Sequence, residues 1–166
     1  MKKLRLLFTL AAVALVTLAA CGQKPLIPAV QNIKGVTNVL IGKTMLSMVS
    51  DYGPVDDLQP SDLSNLTSVE IINADEAIPV KAIVDEFRKF ISSTPDIQVL
   101  MQVTDDDQQV RIYGTPISGT ENYSRIIFYV LEKYDDDKAI SDDDEVSVIV
   151  LSGKITPEMI GRLKPD

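Results

Sequence analysis

Pro79-Val80-Lys81-Ala82-Ile83-Val84-Asp85-Glu86-Phe87-Arg88-Lys89-Phe90-Ile91 is the stretch on which the fold turns. Val80, Ile83, Val84, Phe87, Phe90 and Ile91 recur at the three- and four-residue spacing of one helical face, while Lys81, Asp85, Glu86, Arg88 and Lys89 fall on the other. Pro79 suits a first helical turn, where its missing N–H costs nothing, and Pro95 after Ser92-Ser93-Thr94 ends the helix. A helix with one apolar stripe must lay that stripe on an apolar surface. The flanking sequence supplies strands for the purpose.

Upstream, Val36-Thr37-Asn38-Val39-Leu40-Ile41 is β-branched and bounded by Gly35 and Gly42, and Thr67-Ser68-Val69-Glu70-Ile71-Ile72 reads as a second strand. Between them Lys43 to about Tyr52 has helical spacing, ended by Gly53-Pro54, and Gln59-Pro60-Ser61-Asp62 reads as loop. Downstream come four strand candidates. Ile97 to Val103 and Val110 to Gly114 flank the turn-forming Thr104-Asp105-Asp106-Asp107-Gln108, Tyr123 to Lys133 is long and apolar, and Glu145 to Ser152 alternates. Thr156-Pro157-Glu158 opens a short helix through Leu163. Hairpin-linked strands favour antiparallel pairing, so the expected fold is α+β: a mixed, largely antiparallel sheet of about five to six strands with helices packed on one face.

The 166 residues are 45% apolar and 24% charged, ordinary for one globular domain, and include neither Trp nor His. Lack of His removes the usual proton carrier near neutral pH and the commonest metal ligand. Residues 1–20 have the anatomy of an export signal: Lys2, Lys3 and Arg5 precede an apolar run from Leu6 to Val16, too short to span a bilayer. Leu18-Ala19-Ala20-Cys21 resembles the bacterial lipobox, which implies acylation of the Cys21 thiol and cleavage just before it. Cys21 is the only cysteine, so a disulfide partner is lacking.

Loss of Lys2, Lys3 and Arg5 with the signal takes the net charge from −8 to −11. That charge repels phosphate backbones and anionic headgroups, which argues against nucleic-acid binding and leaves the covalent lipid to hold the chain to a membrane. Gly22 stands where Asp would resemble an inner-membrane retention signal, and Gln23-Lys24-Pro25-Leu26 lacks an acidic export cluster. Residence at the outer membrane facing the periplasm is therefore expected. Residues 21–34, with Pro25 and Pro28, read as the lipidated terminus and an extended tether, and 35–166 as a single α+β domain.

Chemical candidates are few. Asp105-Asp106-Asp107, Asp135-Asp136-Asp137 and Asp142-Asp143-Asp144-Glu145 suit calcium in kind, but counting an EF-hand loop from Asp135 puts Ile140, and from Asp105 puts Val110, where Gly is required. At strand junctions such runs build solvated turns and discourage edge pairing. Glu70 with Asp75, or Glu86 with Glu132, are carboxylate pairs that a hydrolase would need, and no Ser-x-x-Lys set accompanies them. Tyr113, Tyr123, Phe128, Tyr129 and Tyr134 read as sheet packing, and Met45, Met48 and Met101 as core fillers.

The lipobox, Val36-Thr37-Asn38-Val39-Leu40-Ile41-Gly42-Lys43-Thr44-Met45-Leu46, the Val99-Leu100-Met101-Gln102-Val103 strand and Leu151-Ser152-Gly153-Lys154-Ile155 together resemble an envelope lipoprotein family of Bacteroidota catalogued as domain of unknown function 4252. The resemblance covers most of the chain from about Val36 and supplies no catalytic residue or cofactor. Some members lie beside genes for extracytoplasmic-function sigma factors, which implies envelope sensing. The expectation is a non-enzymatic lipoprotein, anchored through Cys21, that binds an envelope protein partner or senses an envelope condition. No catalytic, cofactor or metal residue is expected; the alternative is a carboxylate-dependent or calcium-assisted hydrolase.

Overall fold

The computed structural model describes residues 24–50, 59–105, 108–132, 140–141 and 144–163. Strands β1 (Thr37–Gly42), β2 (Leu66–Ala74), β3 (Gln98–Asp105), β4 (Gln108–Pro116), β5 (Tyr123–Glu132) and β6 (Glu145–Ile155) form one open sheet in the order β1-β2-β6-β5-β4-β3. Helices are α1 (Lys43–Ser50), α2 (Pro60–Asn65), α3 (Ala77–Ser93) and α4 (Pro157–Arg162), preceded by a 3₁₀ turn at Pro28–Val30. The α+β expectation stands, and the sheet is antiparallel at every pairing rather than mixed.

The path follows from α3. It leaves the end of β2 and delivers the chain to β3 at the far edge; β4, β5 and β6 then return by successive neighbours until β6 closes on β2. Val80, Ile83, Val84 and Phe87 are buried against Ile72, Ile127, Tyr129, Val148 and Val150. Phe87 stacks on Tyr129 with ring centroids 4.6 Å apart and meets Tyr113 edge-on at 5.6 Å. Both tyrosines are core packing, as is Phe128.

The helices do not share one face. Register puts Val69, Ile126, Phe128, Ile112 and Leu151 on the side opposite α3, where they pack with Leu46 of α1, Leu63 of α2 and Met159 of α4. The one-face expectation is thus corrected to three layers, and its physical reason lies in β5. Ile126-Ile127-Phe128-Tyr129-Val130-Leu131 is a continuous apolar run, the pattern of a strand covered on both sides rather than the alternation of a half-exposed one.

Three further expectations change. Pro60-Ser61-Asp62, read as loop, instead open α2: Pro60 occupies its first turn, and the Asp62 carboxylate accepts from the Gln59 N–H at 3.0 Å. Met45 and Met48 are 54% and 55% exposed because α1 turns Leu46, not its methionines, inward. Residues 26–34 are not an extended tether. Ile27 and Val30 are buried in the α3-side core, each worth roughly 1.5–3 kcal/mol, and turns closed by the Ile33 N–H on Val30 and the Val36 N–H on Ile33 follow the 3₁₀ turn. Gly35 takes a positive φ of 88° where a Cβ would lie 3.0 Å from Pro79 Cγ.

The candidate binding edge and the acidic groups

Cys21 and residues Asp106, Asp107, Asp135, Asp136, Asp137, Asp142 and Asp143 lie outside the described residues. Of the acidic runs, Asp144 is placed: it is buried, and its carboxylate accepts from the Ser141 N–H at 2.7 Å and lies 3.4 Å from the Ser141 hydroxyl. It builds a turn, as expected, but from a buried position rather than a solvated one. Asp105 ends β3. Among the described residues no three metal-ligating side chains come together as an ion site.

The carboxylate pairs separate. Glu70 and Asp75 are five residues apart along an extended segment, about 16 Å, with alternation directing them to opposite faces. Glu86 belongs to α3 on one face, paired with Lys89, while Glu132 by register points to the other, 3.4 Å from the Gln108 amide. Asp75, Glu132 and Glu145 do line a shallow recess of about 270 Å³ with Thr37, Asn73 and Ser147 at one end of the sheet.

Two buried acids have structural work. Glu70 is 3% exposed; its Oε2 accepts from the Leu26 N–H at 2.7 Å and its Oε1 from the Asn38 side-chain amide at 3.0 Å. It ties the amino-terminal segment to β1 and β2. Asp62 receives Arg162 Nη2 on both oxygens, at 2.7 and 2.8 Å, joining α2 to α4 across a hundred residues of chain. The sequence signal for Glu70 was its position as a lone carboxylate inside an apolar strand, a place that requires a partner.

The two edges of the sheet differ. β1 is largely half-buried, with α1 packed on it. β3 carries Gln98-Val99-Leu100-Met101-Gln102-Val103-Thr104-Asp105, and of these only Leu100 and Met101 are even half-buried. Val99 and Val103 are 58% and 48% exposed. Edge strands are ordinarily blunted by Lys, Pro, a covering element or short length. Among the described residues β3 has β4 as its one extensive neighbour, and it holds no Lys or Pro and a single acid at its end. Its bulge, between Val99 and Met101, leaves Met101 to Asp105 in unbroken register with β4. Sequence reasoning missed this site because strand order, not local pattern, makes β3 an edge.

No curated protein and no solved structure matches the chain. A family profile does match, over residues 31–163, which takes in every strand and helix described above. The chain belongs to the family described as Domain of unknown function (DUF4252).

Proposed function

We propose that this chain is a non-enzymatic, lipid-anchored protein of the bacterial envelope, held through Cys21 at the outer membrane facing the periplasm, that captures an extended segment of a partner protein along β3. The observation carrying this proposal is the β3 edge, on which no helix or further strand packs among the described residues. An added strand pairs its backbone with the outward N–H and C=O groups of β3, and its alternate side chains rest beside Met101 and Val103 on one face. The net charge of −8, or −11 after signal removal, favours a segment poor in acid and furnished with Lys or Arg. Envelope sensing fits the same geometry, since occupancy of the edge is a signal in itself.

A photo-crosslinking residue placed at exposed Gln102 in intact cells tests this. A discrete adduct is expected from Gln102, absent from the same residue at Lys81 on the exposed side of α3, and lost on Val103→Lys, which charges the edge. Equal labelling from both positions, or adducts indifferent to Val103→Lys, contradicts partner capture at β3. Adducts consisting of the chain with itself would replace the partner by a second copy.

A further inference from the structure

Resting on the proposed acylation of Cys21, we infer that residues 26–36 are a strap locked to the sheet by Glu70, so that the lipid headgroup layer lies directly against the β1–β2 side of the domain. Four observations make the strap part of the fold. The Leu26 N–H is bound by the buried Glu70 carboxylate, and Asn38 holds the other oxygen of that group. Ile27 and Val30, 3% and 0% exposed, belong to the same core as Val80 and Ile83. Backbone bonds from Val30 to Ile27, Ile33 to Val30 and Val36 to Ile33 coil the segment. Gly35 passes so close to Pro79 and Glu76 that the start of α3 clamps its end.

At most the five residue steps from Cys21 to Leu26 separate lipid from strap, a reach of no more than about 17 Å, against about 50 Å if residues 21–36 were all extended. Leu26 sits beside β2, the second strand in the sheet order. Four interstrand steps, about 19 Å, separate β2 from β3. The strap thus holds one margin of the sheet at the bilayer and presents the opposite margin, with Val99 and Val103, away from the anchor. Glu70 acts here as a positioning residue: it touches neither lipid nor partner and sets the distance between them.

Neutron reflectometry of the lipidated full chain on a supported phosphatidylethanolamine–phosphatidylglycerol bilayer reads that distance. Protein density is expected to begin within about 17 Å of the headgroups. Glu70→Ala frees the Leu26 end of the strap and widens the gap while the protein stays bound. Leu26→Pro, which removes the bonded N–H together with a half-buried side chain, gives the same widening should Glu70→Ala fold poorly. A water layer on the order of 30 Å in the unmodified protein overturns the strap, and a gap indifferent to both substitutions in folded protein overturns the lock by Glu70. Protein that washes off the bilayer refutes the anchor instead, and the positioning role with it.

Discussion

At the scale of single residues, the acidic side chains that attract attention in the sequence divide by burial rather than by number. Asp62 is 7% exposed and satisfied by the Gln59 N–H and the Arg162 fork. Arg162→Ala leaves that carboxylate with one partner, so it should cost about 2–4 kcal/mol in urea unfolding, and Asp62→Asn less, because the amide carries no charge to strand. Gly153, at φ 144°, passes Asn65 where an added Cβ would sit 2.3 Å from the backbone oxygen. Gly153→Ala is expected to destabilise by about 1–3 kcal/mol, at the bulge where β6 meets the start of β2. Glu158, at the first turn of α4, has its pKa lowered by its own backbone N–H and then by the Thr156 hydroxyl. A carboxyl held low in the folded state contributes stability above its unfolded pKa, and that contribution disappears as pH falls through the folded value. Melting temperature followed from pH 6 downward should accordingly fall less steeply in Glu158→Gln. The long-range pairings were not readable locally: Asp62 and Arg162 are a hundred residues apart, and Glu70 meets Leu26 across forty-four.

Elements were legible where one periodicity ran long enough to declare itself. The α3 stripe did so, and its central ring is the test: Phe87→Ala should cost about 3–5 kcal/mol, since it removes the stack on Tyr129 and the edge contact with Tyr113 together. Helix α2 did not, because its six residues are under two turns and its Pro, Ser and Asp resemble a loop until Asp62 is seen capping the first turn. The segment before β1 misled for a related reason: Pro25 and Pro28 suggest an extended chain, whereas the spaced Leu26, Ile27, Val30 and Ile33 find their apolar partner only once α3 is in place. β3 was recognised as a strand but not as an edge. Val103→Lys should leave unfolding free energy within about 0.5 kcal/mol of the parent, because the side chain is already 48% exposed, while removing the proposed partner contact.

On the scale of the whole molecule, the described residues form a sheet with a helix crossing one face, three shorter helices on the other, and two margins of unlike character. One margin is strapped to the amino-terminal segment; the other, four strands away, has no covering element among the described residues. The class of fold was legible because hairpin-linked strands and an amphipathic helix admit few arrangements. The second covered face was written in the unbroken apolar run of β5, but a run of that kind declares burial without saying what buries it. Asymmetry between margins depends on β6 closing onto β2, a pairing that joins residues some eighty positions apart. The functional account joins that asymmetry to one covalent event at the terminus, because a strapped margin positions an edge only if the terminus is fixed. Mass spectrometry of the amino-terminal peptide from natively produced protein reads that event directly. A peptide beginning at Cys21 and carrying a thioether-linked diacylglyceryl group is the predicted result; a free Cys21 thiol, or an intact terminus beginning at Met1, would contradict the account.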